Sequence, residues 1–271
     1  MRAPRVLKLL AATLGLFAVP YLTTPAAAQR PPIEISGATY SEFDESSGIW
    51  LIRGDPVVAT RGSVTVRAPV LRYDSRQQSV YATGGAAYTD ETVSVRAAQV
   101  TLWVQDERAV AEGDVTAVLR RDESQQLRCA RLELWSTDRR AVATGGVRLA
   151  QRDGTLSGER LEYDDREQRA IITGNPKATT SDGTLTANRI EARLASQEIV
   201  ADGNTALTQG ELEGRAPKMV LRQRDGVAIL SGGAALRQGR NETTAQTITV
   251  DLRRRRVEAS GQAHIVVFTD R

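Results

Sequence analysis

The chain has 271 residues, of which 25% are charged and only 4% aromatic, with 36 basic against 33 acidic side chains. A single histidine and a single cysteine exclude a disulfide within the chain, and they leave too few residues for a zinc site or a Ser–His–Asp triad. Because the P-loop, Gly-x-Ser-x-Gly and His-Glu-x-x-His motifs are also missing from the sequence, we expect no enzymatic activity, no cofactor and no metal.

Residues 1–28 are predicted to be a secretory signal. Arg2, Arg5 and Lys8 form a basic start, an apolar stretch follows, and small residues at 26–28 offer a cleavage site. The apolar stretch is broken by proline and falls short of the roughly 20 residues that a membrane span needs, although a retained anchor is the alternative. Without the signal the chain has 33 basic and 33 acidic residues, so its charge balance does not suggest a nucleic-acid partner.

From about residue 33 onward one pattern recurs. Glycines follow one another at intervals of 29 to 32 residues, at positions 54, 84, 113, 145, 174, 203, 232 and 261. A near-constant period of this size indicates a stack of one supersecondary unit.

Each unit is predicted to be two antiparallel strands. Around the glycine, small and apolar residues alternate with polar ones, as in 201–207, which is typical of a half-buried strand. In the second strand a small residue such as Ala187 is followed three positions later by an apolar one such as Ile190. That odd step reverses the buried face and requires a bulge or a bend. Polar runs, such as 74–79, 164–169 and the longer 120–126, are predicted to be turns.

We therefore predict an all-β protein of about eight hairpin units of about 29 residues, stacked in one domain over residues 29–271. Cys129 takes the small-residue position of its unit and is expected to be a buried small hydrophobe. The run 253–256 of four arginines falls on a predicted turn, where a solvated loop and a contact with phosphates or an acidic partner are both open.

The inward-facing apolar residues are the candidate binding residues. We expect the glycines to face inward beside them and to keep side chains out of the interior. An open apolar groove for acyl chains and two sheets packed closely over small residues both agree with this pattern. The predicted lining residues are Leu71, Val100, Leu132, Leu161, Ile190, Met219, Ile248, Val115, Val147 and Leu207.

The first and last strands are predicted to be sheet edges. An unpaired edge invites pairing with another chain, so these strands are candidate partner contacts. The residues concerned are Ile33 and Ile35 at one end, and Ile265 and Val267 at the other.

Three segments of the repeat, 158–163, 171–175 and 183–190, resemble the LptA/OstA family of lipopolysaccharide-transport proteins, and the resemblance extends from about Ile33 to Phe268. It implies a V-shaped or slightly twisted antiparallel β-jelly roll in the periplasm, whose apolar groove carries lipopolysaccharide or a similar amphiphile. It further implies edge-strand contacts with inner- and outer-membrane transport components and head-to-tail self-association. The chain has more repeats than the usual soluble bridge protein, which leaves its place in a bridge open.

Two other classes of function remain at this point. A structural or adhesive β-repeat protein would have a dry core and assemble through its edge strands. A polysaccharide-acting enzyme on a β-solenoid would need acidic residues clustered on one outer face, which the repeat does not show.

Overall fold

The computed structural model describes residues 31–119, 125–181, 183–254 and 256–268, and all 19 regular elements in this part of the chain are β-strands. The predicted signal 1–28 and most of the predicted turn 120–126 lie outside the described residues. Neighbouring strands pair antiparallel as hairpins, which confirms the all-β hairpin fold. The described residues form two compact units, 31–147 and 148–268, here called the N-terminal and the C-terminal unit, and the division falls inside strand β8. The assignment of residues 29–271 to one domain stays a prediction.

In the N-terminal unit each strand pairs with the next one along the chain, from β1–β2 through to β6–β7. The strands are long, with ten or more residues each, because the alternating pattern continues through the bend in their middle. They are β1 (Glu34–Asp44), β2 (Ile49–Arg61), β3 (Val64–Asp74), β4 (Ser79–Thr89), β5 (Val93–Trp103), β6 (Arg108–Leu119), β7 (Gln126–Trp135) and β8 (Arg140–Gln151).

The C-terminal unit repeats the hairpin pattern, but some of its long strands are split in two. The short strands β10 and β11 both pair with the continuous β9, and β12 and β13 both pair with β14. The strands are β9 (Gly154–Asp164), β10 (Arg169–Thr173), β11 (Lys177–Thr180), β12 (Gly183–Thr186), β13 (Arg189–Arg193), β14 (Glu198–Gln209), β15 (Leu212–Arg222), β16 (Val227–Gln238), β17 (Asn241–Asp251), β18 (Arg256–Ser260) and β19 (His264–Val266).

The turns at one end of the strands stack on one another. The amide of Ser75 donates to the carbonyl of Gly48 at 3.0 Å, and the amide of Leu194 donates to the carbonyl of Gln168 at 2.8 Å. These hydrogen bonds extend the strand ladder into the turns and pair backbone groups that would otherwise need water. The predicted turns at 74–79 and 164–169 are confirmed, with turn residues at 75–78 and 165–168.

A bend interrupts the strand pairing near the middle of the long strands. The pairing of β15 with β16 shifts register between Arg215 and Lys218, and corresponding shifts occur along both units. On β5 the buried residues are Val93, Val95 and Ala97 before the bend and Val100 after it. The predicted reversal of the buried face is therefore confirmed, and it lets both halves of a strand turn their apolar side to the same interior.

The recurring glycines lie at these bends, and the expectation that they face inward is wrong. None of the eight is buried, and seven have positive φ, including Gly113 and Gly145 at 81°. A Cβ on Gly113 would come within 2.7 Å of the Cβ of Ala98 on the preceding strand. Glycine is required here because the bend needs both a left-handed backbone and a close approach between strands.

Candidate functional site

All ten predicted lining residues are buried, and the most exposed of them, Leu161, is only 6% accessible. In the N-terminal unit, several large side chains lie opposite small ones on the neighbouring strand. Leu71 is paired with Ala82, and Leu132 with Ala111. This alternation lets the side chains of the two strand halves interdigitate over an apolar interior.

The interior of the N-terminal unit is closely packed between the two halves of β5. A void of about 10 Å³ lies between Val95 and Val100, which stand on either side of the bend in β5, and it also contacts Leu132. A cavity needs about 10–15 Å³ to hold one water molecule. The two strand halves are therefore in contact here, as in an ordinary protein core.

A larger cavity, here called the rim cavity, opens at the turns of the same unit. It has a volume of about 220 Å³ and is lined by residues from three segments, 63–64, 88–93 and 134–140. Tyr88 and Leu134 line both this cavity and the small void, so they form the wall between the two. Sequence reasoning missed the rim cavity because its three segments are far apart along the chain. The one available signal was Tyr88, which takes the position filled by leucine in the units of Gly145, Gly203 and Gly232.

The outer face of the N-terminal unit carries a row of polar contacts that crosses neighbouring strands. The hydroxyl of Tyr81 donates to Gln99 at 2.8 Å, and the amide group of Gln99 donates to Glu112 at 2.9 Å. Glu112 also forms an ion pair with Arg131. Since the polar side chains lie on this face, the apolar face of these strands is the interior one.

Glu191 has a similar role in the C-terminal unit. It accepts hydrogen bonds from Arg189 at 2.6 Å and from Arg193 at 3.0 Å. Burial raises the pKa of this carboxyl, but the hydrogen bonds and charges of the two arginines outweigh burial and hold the pKa below its usual value. Glu191 is therefore ionised at neutral pH and holds the two guanidinium groups in place.

The residues predicted at the strand edges differ in exposure. Ile33 precedes β1 and is half-buried, and Ile35 is paired with Ala59 of β2. At the other end Ile265 is 61% and Val267 63% exposed. Among the described residues β1 pairs with β2 alone and β19 with β17 alone, so both strands present an edge.

Further aromatic surface is exposed on the first hairpin. The rings of Phe43 and Trp50 stack with centroids 4.7 Å apart, and both side chains are exposed. Tyr40, also exposed, lies beneath the guanidinium of Arg53 at 5.7 Å. The β1 edge is therefore flanked by apolar surface of the kind that is enriched in protein interfaces.

The arginine-rich turn is exposed where it is described. The backbone amides of Arg253 and Arg254 donate to the carboxylate of Asp251 at 2.9 and 2.8 Å, and the guanidinium of Arg253 donates to the carbonyl of Arg224. Arg255 lies outside the described residues. A solvated turn accounts for these contacts, and a phosphate or acidic partner stays a prediction.

Cys129 is buried on the interior side of β7, as predicted. Burial raises the pKa of its thiol to about 11, from an ordinary value of 9.0, so almost no thiolate forms at pH 8. We expect a thiol reagent such as DTNB to react with folded protein at pH 8 far more slowly than with protein unfolded in urea. The reaction should accelerate as the pH rises toward 11, and equal rates in the folded and unfolded states at pH 8 would contradict the burial of this side chain.

The described residues contain no helix with the length and apolar character required to cross a membrane. Within the same residues, histidine, cysteine, aspartate and glutamate form no group of three or more that could hold a metal ion.

Comparison with known proteins identifies the family. No curated protein matches the chain. Among solved structures it is similar to LptH, described as the LptA homologous periplasmic component of the conserved lipopolysaccharide transport device from Pseudomonas aeruginosa, with 16% identity and a TM-score of 0.41 over 42% of this chain and 94% of that one. The family described as LptA/(LptD N-terminal domain) LPS transport protein matches residues 37–198 and 155–256. Since these matches span well over half of the sequence, the chain belongs to the LptA/LptD N-terminal domain family of lipopolysaccharide-transport proteins.

Proposed function

We propose that the chain transfers lipopolysaccharide, or a similar amphiphilic lipid, through the periplasm from the inner toward the outer membrane, with no catalytic step. The observation that carries the proposal is the apolar interior, which recurs strand after strand in each unit, with Leu71 opposite Ala82 in the N-terminal unit and Leu230 opposite Ile248 in the C-terminal unit. Membership of a lipopolysaccharide-transport family supports the choice of cargo.

Because the interior is closely packed beside Val95 and Val100, the lipid enters by separating the two strand halves. An acyl chain then replaces side-chain contacts, and each methylene that leaves water contributes about 0.8 kcal/mol toward that opening. The bends are the natural pivots, since their left-handed glycines, such as Gly84 and Gly203, already depart from regular strand geometry.

Transfer to the next protein takes place at the strand edges. Strands β1 and β19 each pair on one side only among the described residues, and apolar side chains, including the exposed Ile265 and Val267, lie beside these edges. Pairing with an edge strand of a transport component in either membrane, or with a second copy head to tail, extends the apolar interior from one chain to the next. Since the sequence contains no nucleotide-binding motif, a partner supplies the energy for directional movement.

Photo-crosslinking tests the carrier proposal. A photoreactive amino acid at Leu161 or Ile190, both buried inward, should capture lipopolysaccharide when the transport partners are present. The matched controls are the next positions on the same strands, Glu162 and Arg189, whose side chains face outward. If the folded protein captures no lipid at the inward positions under these conditions, the proposal fails.

The rival function is a structural or adhesive β-repeat protein with a dry core, and the small size of the void beside Val95 and Val100 favours it. Native mass spectrometry of gently purified protein separates the two functions. Bound lipid supports transfer, and a mass without lipid in protein taken from cells with an active transport system supports the scaffold.

A further inference from the structure

We propose that the rim cavity is the point where one acyl chain enters the interior of the N-terminal unit, with an anionic headgroup held at Arg140. The inference rests on the proposed function and assigns it an entry site. The occupant is an amphiphile with a saturated chain and an anionic phosphate or carboxylate group.

The rim cavity lies where turns from both ends of the strands meet. Its lining includes Ser63 and Thr92, from turns at one end of the strands, and Ser136, from a turn at the other end. Opposite ends of strands meet because each strand folds back at its bend. The cavity therefore opens on the side away from the bends, where a chain can enter without breaking any strand pairing.

The volume of the rim cavity suits a segment of one alkyl chain. At about 220 Å³ the cavity exceeds the engineered cavity of about 150 Å³ that binds benzene. It is smaller than the roughly 300 Å³ at which pockets for drug-sized ligands begin. A segment of one alkyl chain matches this volume, and a complete lipid with several chains does not.

Tyr88 forms part of the wall between the rim cavity and the interior. Tyr88 is 3% exposed, and its hydroxyl donates to Asp90 at 2.8 Å. The Asp90 carboxylate is itself held by the backbone amides of Thr92 at 2.7 Å and Val93 at 2.9 Å. The ring of Tyr88 thus covers the interior while its polar end is tied to the turn beside the opening. A rotation of this one side chain, together with Leu134, joins the cavity to the void beside Val100 and Leu132.

A positive charge, that of Arg140, lies at the opening of the rim cavity. Arg140 is exposed, and its guanidinium lies 5.6 Å from the ring centroid of Trp135. It pairs with no carboxylate in the part of the chain that the structure describes. Glu91 lies on the facing segment of the lining, so an anionic group is attracted to the Arg140 side of the opening. Valine and leucine line the bottom of the cavity, and charged side chains lie around its opening. An amphiphile can therefore place its alkyl chain on the apolar residues and its headgroup at the charged ones.

A plug at Val93 tests the entry site in the full chain. The probe is dansyl-labelled undecanoic acid, and the measurement is its binding rate by stopped-flow fluorescence. Because Val93 lines the cavity, Val93→Phe should slow binding by about tenfold. Ser94→Phe adds a similar bulk to the opposite face of the same strand and should leave the rate unchanged. If circular dichroism shows that Val93→Phe is unfolded, Val64→Phe provides a second plug in the same cavity.

The headgroup is tested with Arg140→Gln and two probes. The variant should weaken binding of the fatty acid about tenfold and leave binding of the matching uncharged alcohol unchanged. Equal effects on both probes, or no effect on either, would overturn the role of Arg140. Unchanged binding rates in folded Val93→Phe and Val64→Phe would overturn the entry site and leave the carrier function standing. Failure of the wild-type chain to bind any alkyl probe or lipopolysaccharide would overturn the carrier function and the entry site together.

Discussion

Replacing Gly145 by alanine is expected to lower the free energy of unfolding by about 3 kcal/mol, because the substitution combines backbone strain with a steric clash. The backbone at Gly145 has φ of 81°, which a side chain disfavours. A Cβ there would stand 2.6 Å from the Cβ of Ala130, and the backbone Cα of Ala130 lies 3.6 Å away. Relief therefore requires the two strands to separate at the bend. Urea denaturation followed by circular dichroism measures the change.

Gly146 is the matched control for this substitution. Its φ of 62° is also left-handed, but no atom lies within 4 Å of the Cβ that alanine would add. Gly146→Ala should therefore lower the free energy of unfolding by only about 1 kcal/mol, the cost of placing a side chain on a left-handed backbone. Equal losses at the two positions would show that backbone conformation alone, and not the approach of the strands, requires the recurring glycine.

Replacing Leu132 by alanine should destabilise the protein by about 3 kcal/mol, within the range for buried leucines. Leu132 is fully buried opposite Ala111, and the void beside it is too small to compensate for lost contacts. Val118→Ala on the outward side of β6 is the control and should cost less than about 1 kcal/mol. A similarly small loss at Leu132, with the fold intact, would mean that this side chain borders open space.

The same variant reports on lipid binding. Removing the Leu132 side chain enlarges the void of about 10 Å³ that lies behind Tyr88. If acyl chains occupy this interior, a saturating alkyl probe should raise the melting temperature of Leu132→Ala more than that of the wild type, because the ligand fills space that the truncation created. Equal shifts of the melting temperature in the two proteins would show that the alkyl probe binds elsewhere.

Much of the fold can be derived from the pattern of residues because strand alternation is a local property. Alternation along the strand, with one reversal of the buried face between them, predicts that Leu156 and Leu161 both face the interior. Both side chains are buried. The turns follow from polar runs bounded by aspartate, such as the one after Asp74, whose carboxylate accepts the amides of Arg76 and Gln77 at 2.8 and 2.9 Å. The burial of Cys129 follows from its place in the repeat.

The exposure of the recurring glycines does not follow from strand alternation. Alternation places Gly145 in phase with Ala143 and Val147, so its sequence position predicts the inward face. Ala143 and Val147 are buried, whereas Gly145 is exposed at a bend. A bulge breaks the alternation over one or two residues. The local sequence pattern does not identify the residue that is left out of the hydrogen-bonded strand pairing.

The sequence alone establishes the repeat, the strands, their buried faces and the absence of catalytic motifs, since each depends on residue types at short, regular spacing. How closely the strand halves pack, where the rim cavity opens and which edge residues face solvent are set by contacts between segments far apart in the chain. Ser63, Tyr88 and Arg140 come together only because the strands fold back at their bends. The direction of a bend depends on the neighbouring strand as much as on its own residues, so the candidate entry site became visible only in three dimensions.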